Sequence, residues 1–156
     1  MATELQPYYL GSAENKLNTK GQVAIPARIR TIQSDEEQSK NYVILRGDGD
    51  CLYMYTHHQF AAVKDNARRV AEELGDSGFY RSFMAGAYSV DIDTQGRFVL
   101  PQPLMRAANI AGPTILFIGV DDRIELWEPG VYTQNVGGQE AYDQLRRSAS
   151  KQIFGI

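Results

Sequence analysis

The chain has 156 residues, 43% apolar and 22% charged, an ordinary globular composition that argues against disorder of the whole chain. A net charge of −3 and a pI near 5.4 argue against indiscriminate nucleic-acid binding, which depends on Lys and Arg neutralising phosphates. No run of about 18 apolar residues is present to span a bilayer, Met1 to Leu10 lacks a basic segment leading into an apolar one, and the single cysteine, Cys51, rules out an intrachain disulfide or thiolate cage; a cytoplasmic protein is expected.

Taken in chain order, a strand is expected to enter the turn Thr19 to Gly21, and a second to leave it and stop at Pro26. Proline lacks the ladder donor and suits a first helical turn, so Ala27 to Ile32 should form one or two turns of helix. A hairpin follows, Val43 to Arg46 with Leu52 to Tyr55, around the loop Gly47-Asp48-Gly49-Asp50. Phe60, Val63, Ala67, Val70, Ala71 and Leu74 recur at helical spacing, Gly75 to Gly78 stops that helix, and a short one runs from Phe79 to Ala85. The pattern then repeats: a turn at Thr94 to Gly96, a stop at Pro101, a helical stretch Gln102 to Ala108, and a hairpin of Ile115 to Ile118 with Ile124 to Trp127. After Glu128-Pro129 a helical tail is interrupted at Gly137-Gly138 and resumes from Gln139 to Ala149; its apolar Ala141, Tyr142, Leu145, Ile153, Phe154 and Ile156 read either as a docking face or as a frayed, solvent-facing end.

The repetition is close. Leu17 to Pro26 returns as Ile92 to Pro101 at an offset of 75, and the hairpins align at 72 (Val43 with Ile115), the three extra residues being most simply placed in the polar loop Ser34 to Lys40. A turn, proline and hairpin kept in order describe a duplicated unit. Charge is unevenly shared: Lys16, Lys20, Arg28 and Arg30 crowd the first copy between residues 16 and 30 with no acid among them, whereas residues 90–133 hold three basic and six acidic residues.

The paired turns, the proline four residues after Gln22 or Arg97, and the Ile-Glu-Leu-Trp end of the second hairpin resemble the MraZ family of bacterial transcriptional regulators, within the AbrB-like swapped-hairpin superfamily. The resemblance runs from about Gly11 to Tyr132. It implies a mainly β fold with α (α+β), a tandem duplicated AbrB-like double-split β-barrel with pseudo-two-fold symmetry and connecting helices: a first unit over 8–62, a helical connector over 63–89, a second unit over 90–133 and a C-terminal helical tail over 134–156. It further implies an oligomer, a ring, that binds double-stranded DNA carrying short direct repeats near its own promoter in a cell-division and cell-wall gene cluster, and that is nucleoid-associated. The second copy keeps the family's turn pattern in Asp93, Gly96 and Arg97; the first has Asn18 for Asp and Gln22 for Arg while keeping Lys20 and Gly21. The DNA-binding candidates are Lys16, Lys20, Gln22, Arg28, Arg30, Arg97 and Arg106, and the turn residues are Asn18, Gly21, Asp93 and Gly96. Arg can donate two hydrogen bonds to guanine or phosphate, whereas Gln can engage adenine but carries no charge, so the first copy should supply mostly charge and the second the contact from Arg97.

Plainer roles stand beside these. Asn18 and Asp93 are suited to accept turn hydrogen bonds, Gly21 and Gly96 to supply a positive backbone angle, and Arg28, Arg30 and Arg106 are equally ordinary surface charges. No metal site is indicated: His57-His58 lacks helical spacing and a third ligand, and Asp48 and Asp50 lack the calcium-loop pattern. No cofactor signature or nucleophile constellation nominates an enzyme. The rival readings are an antitoxin-like protein-interaction scaffold and a family member with weakened DNA binding.

Overall fold

A computed structural model describes residues 8–30 and 40–156, and of Arg30 the backbone alone. The strands among the described residues are β1 Ser12–Lys16, β2 Gln22–Ala24, β3 Asn41–Arg46, β4 Leu52–Thr56, β5 Tyr88–Asp91, β6 Arg97–Val99, β7 Thr114–Val120 and β8 Arg123–Trp127. Helices α1 Ala27–Arg30 and α4 Gln102–Ala107 follow the two prolines, α2 His57–Leu74 and α3 Ser77–Ala85 connect the copies, and α5 Pro129–Val136, α6 Gln139–Ser148 and α7 Ser150–Phe154 form the tail. The expected extension of α1 to Ile32 lies outside the described residues, as does most of the Ser34 to Lys40 loop.

Helix α2 starts at His57, earlier than its apolar spacing indicated, because Thr56 and Gln59 form a capping box. The Thr56 hydroxyl accepts the Gln59 N–H at 3.1 Å, and Gln59 Oε1 accepts the Thr56 N–H at 3.0 Å. Gly75 ends it in the left-handed conformation (φ 64°), and the Asp76 carboxylate caps α3 by accepting the Gly78 N–H at 2.9 Å. Gly137-Gly138 breaks the tail as expected, whereas α6 stops one residue before Ala149 and α7 resumes directly after it.

Six strands form one antiparallel sheet in the order β1-β7-β8-β4-β3-β5, and β2 pairs with β6 in a separate two-stranded ribbon. Exchange the copies, β1 with β5, β3 with β7 and β4 with β8, and the sheet order reads the same backwards. Each hairpin takes its outer neighbour from the other copy. The implied two-fold passes between Tyr53 and Glu125 at the centre of the sheet and between Val23 and Phe98 at the centre of the ribbon. Strands β1 and β5 remain as edges, so the sheet is antiparallel within a mixed α and β fold and does not close into a barrel.

The register corrects the repeat alignment. Ile44 pairs with Met54, and Phe117 with Leu126, and all four face the same core, so the first hairpin strand repeats at 73 (Ile44 to Phe117) and the second at 72 (Met54 to Leu126). Val43 and Ile115, aligned at 72, point to opposite faces, since a slip of one residue reverses a strand's side chains. Of the three extra residues in the first copy, two therefore fall between Ile25 and Tyr42 and the third in the hairpin loop, where residues 47–51 are replaced by Asp121 and Asp122 alone between longer strands.

The alternation sorts the sheet into two sides. Tyr42, Ile44, Leu52 and Met54 with Ile115, Phe117, Ile124 and Leu126 meet Val23, Ile25, Phe98 and Leu100 of the ribbon and its extensions. On the other side Val43, Leu45 and Tyr55 meet Phe60, Val63, Phe83 and Met84 of α2 and α3. Burying each such side chain contributes about 1.5 to 3 kcal/mol, which is what clamps the short ribbon to the sheet. The ribbon and the α2–α3 pair thus occupy opposite faces, with Ile29 of α1 and Leu104 of α4 on the ribbon's side. Gly119 is required by this packing: a Cβ there would collide with the backbone of Leu10.

Candidate nucleic-acid interface

The two turns are built alike. Asn18 Oδ1 accepts the N–H groups of Lys20 and Gln22, both at 2.9 Å, and Asp93 Oδ1 accepts those of Gln95 and Arg97 at 2.8 and 2.9 Å. Gly21 and Gly96 donate back to the carbonyls of Asn18 and Asp93 at 3.1 and 3.0 Å, each with φ of +80°, a value that disfavours any side chain. A short side chain with an acceptor oxygen followed three residues later by Gly is what this loop demands.

The turns differ in what they present outward. Arg97 Nε donates to Asp93 Oδ2 at 3.0 Å, an exposed pair whose Arg Nη groups take no partner among the described residues. In the first copy Asn18 Nδ2 donates to Gln22 Oε1 at 3.2 Å, a neutral version of the same bridge. The Asp93 carboxyl is held below its ordinary range, chiefly by the Arg97 backbone N–H; desolvation opposes this, and the Arg97 side chain and the Gln95 N–H add to the lowering.

Between the turns lies the ribbon. Gln22 pairs with Val99, Val23 with Phe98 and Ala24 with Arg97. The ladder continues at both ends, Leu100 N–H to Gly21 O at 2.8 Å and Ile25 N–H to Gly96 O at 2.9 Å. Val23, Ile25, Phe98 and Leu100 point into the core, so Gln22, Ala24, Arg97 and Val99 form the outer face, where Val99 is 54% exposed. From Gly21 to Ile25 at ~3.4 Å per residue this face is about 14 Å long. Ala24 and Val99 were not singled out from sequence, although the alternation Phe98-Val99-Leu100 carries the signal.

The remaining basic candidates flank the ribbon without converging on it. Lys20 sits in the first turn and Lys16 ends β1 beside it, both exposed. Helix α1, with Arg28 and Arg30, leaves the ribbon at the end where Ile25 meets Gly96, and α4, with exposed Arg106, leaves it at the end where Leu100 meets Gly21. The strand exchange therefore carries Arg28 and Arg30 towards the second copy's turn. Arg28 Nη1 donates to the Ser12 carbonyl at 3.3 Å, folding this guanidinium over the start of β1.

Other chemistry is spent on structure. Cys51 lies in the loop just before β4 and is buried, its thiol pushed up to about 12, mainly by that burial. His57 Nε2 lies 3.2 Å from Ser89 Oγ, and among the described residues no three His, Cys, Asp or Glu side chains are grouped to hold a metal. On the helix side, at the pseudo-two-fold, Arg123 bridges to Glu125 at 2.8 Å and stacks over Tyr53 at 4.3 Å, while Trp127 Nε1 donates to Glu125 at 3.0 Å. Burial pulls the Arg123 pKa down, but the Glu125 carboxylate outweighs it and leaves the guanidinium more firmly charged than usual. Arg123, Glu125 and Trp127 share one face of β8, and the β4–β8 pairing brings Tyr53 to them.

Comparison with known proteins agrees with the sequence resemblance. A family described as "MraZ protein, putative antitoxin-like" matches residues 83–148. The chain is 32% identical over 139 residues to the transcriptional regulator MraZ of Syntrophomonas wolfei, covering 88% of this chain and 93% of that protein. It is 31% identical over 126 residues to the MraZ of Caldanaerobacter subterraneus, covering 80% and 84%, and 28% identical over 144 residues to that of Clostridium tetani, covering 92% and 97%. The solution structure of PHS018 from Pyrococcus horikoshii aligns over 78% of this chain and 96% of its own at a TM-score of 0.34 and 14% identity, too slight a likeness to carry an argument. With relatives above 30% identity along most of its length, the chain belongs to the MraZ family.

Proposed function

We propose that this chain is a transcriptional regulator that binds duplex DNA sequence-specifically through the β2–β6 ribbon and its two turns. The observation that carries the reading is the ribbon's outer face: two like turns holding Arg97 and Gln22 outward on a strip about the width of two strands. A two-stranded ribbon fits the major groove, where base pairs are distinguishable. Gln22 and Arg97 read base edges, whereas Lys16, Lys20, Arg28, Arg30 and Arg106 attract phosphates without reading sequence. In this reading the exchange of β1 and β5 between copies is the swapped, AbrB-like arrangement of a double-split barrel, and 8–62 and 90–133 are its two units, joined by the connector 63–89 and followed by the tail 134–156.

The regulator acts as a homo-oligomer, a ring, on short direct repeats near its own promoter in a cell-division and cell-wall gene cluster, as a cytoplasmic, nucleoid-associated protein. An acidic chain suits that mechanism, since several weak ribbons engaging successive repeats gain by effective concentration rather than by bulk charge. The exposed Tyr142, Leu145, Ile153 and Phe154 of α6 and α7 favour a role for the tail in assembly, and they equally keep the antitoxin-like scaffold reading in play.

The test is fluorescence anisotropy with DNA from upstream of the chain's own gene against shuffled DNA, at two salt concentrations. Preferential binding that grows with repeat number, with a log–log salt slope of about −0.9 per phosphate neutralised, is expected. Equal binding of both DNAs at both salts rejects the proposal and leaves the scaffold reading, which copurification of a partner protein then tests.

A further inference from the structure

We infer that Asn15 is a positioning residue for the ribbon: from the edge strand β1 it straps β2 to the sheet and so fixes, through the ladder, where Arg97 stands; the inference rests on the DNA-binding reading above. Asn15 Nδ2 donates to the Ala24 carbonyl at 2.7 Å, a half-buried bond between two strands that share no ladder. In an antiparallel pair, residues that exchange hydrogen bonds alternate with residues that do not. Ile25 bonds to Gly96 and Leu100 to Gly21, so Val23 and Phe98 are a bonding pair and Ala24 with Arg97 is not. The Ala24 carbonyl therefore turns away from β6 and takes its donor from outside the ribbon. A second strap lies farther along: Arg28 of α1 crosses Gly11 and donates to the Ser12 carbonyl at 3.3 Å, tying the helix that continues from β2 to the start of β1.

The second copy has neither strap. At the repeat's offset of 75, Asn15 corresponds to Val90 and Arg28 to Pro103. The sheet agrees, since Asn15 pairs with Ile115 and Val90 with Tyr42, equivalent positions of the two hairpins. Val90 is buried among apolar side chains and has no proton to give the carbonyl of Val99, the residue that corresponds to Ala24. Strand β6 is thus held to the sheet by the burial of Phe98 and Leu100 beside it, which resists lifting but is not directional. A hydrogen bond is directional. The register of β6 is set by its ladder with β2, and that of β2 by Asn15. Arg97 belongs to the strand without a strap, and Ala24, the point where the other strand is fastened, is its cross-strand neighbour. Without the strap the ribbon still folds, but binding has to restore the geometry that the strap holds in advance. The loss is then bounded by the worth of that one bond.

The experiment is anisotropy with the full-length chain on upstream and shuffled duplexes at two salt concentrations. The proteins are native, Asn15→Val, which gives the first copy the valine of the second, and Asn15→Ser, too short to reach Ala24, each with and without Arg97→Ala. All are measured at a temperature where circular dichroism shows them folded, and either Asn15 variant suffices. Affinity for upstream DNA should fall by about 2- to 12-fold, the range of one neutral hydrogen bond. Binding to shuffled DNA and the log–log salt slope should be kept, because no phosphate contact is removed. On the Arg97→Ala background the same substitution should change upstream affinity by less than about 2-fold, since the side chain it positions is gone. A purely structural Asn15 would lower the melting temperature and leave binding by the folded chain alone. That result, an equal loss with and without Arg97, or an equal loss on both duplexes overturns the inference while leaving DNA binding standing. A native chain that does not distinguish the two duplexes overturns the DNA-binding reading and the inference with it.

Discussion

Replacing Arg97 by Ala separates a base contact from a phosphate contact at the ribbon. The side chain is 53% exposed, its only partner among the described residues is the equally solvated Asp93, and the turn is held by the Asp93 carboxylate through backbone N–H groups that Ala retains. Exposed ion pairs contribute little to folding and surface replacements stay within about 0.5 kcal/mol, so the melting temperature should move by no more than about 2 °C. Affinity should fall by about 1 to 3 kcal/mol per ribbon engaged, or 5- to 150-fold, if a bidentate contact to guanine is lost. The salt dependence identifies the lost partner. A phosphate contact removed uniformly lowers binding to all sequences and reduces the log–log slope by about 0.9, whereas a base contact removed relaxes preference at one position. Anisotropy titrations of native and Arg97→Ala protein on specific and shuffled duplexes at three or more salt concentrations supply both readouts. Unchanged affinity and unchanged preference with a native melting curve would refute the placement of Arg97 on the reading face.

Phe98, 2% exposed at the centre of the ribbon, anchors it to the sheet, and Phe98→Ala should cost about 3 to 5 kcal/mol in urea unfolding; a loss under about 1 kcal/mol would mean that the ribbon is not clamped as described. Because the folded Asp93 pKa lies below its ordinary 3.8, its stabilisation is complete above the unfolded value and lost as pH falls through the folded one. Acid should therefore loosen the second turn while the first, built on uncharged Asn18, stays put, as followed by the amide resonances of Arg97 and Gln22; equal responses would count against it. Cys51, with its thiol raised from 9.0 to about 12, should react with a thiol reagent at pH 8 roughly a thousandfold more slowly than in the unfolded chain, from the thiolate fraction alone; prompt labelling of the native protein would contradict its burial.

The local order of this protein was legible in its sequence because it follows from short-range chemistry. Asn18-to-Gly21 and Asp93-to-Gly96 announce turns through one acceptor side chain and one glycine, Pro26 and Pro101 announce strand ends, and the repetition announces a duplicated unit. The start of α2 was also written there, in Thr56 and Gln59, though as capping chemistry rather than apolar spacing. What the chain order did not carry was partnership. That β1 pairs with β7 of the other copy, that β5 pairs with β3, and that β2 meets β6 across 75 residues depends on which apolar faces bury each other, a long-range property no local pattern encodes. The one-residue error in aligning Val43 with Ile115 has the same origin: in a strand an offset is visible only once one face is buried. The candidate reading face is divided accordingly. Gln22 and Arg97 stood out from their turns, whereas Ala24 and Val99 beside them, and the opposition of two unlike ends about a shared two-fold, exist only because tertiary packing laid the two copies side by side.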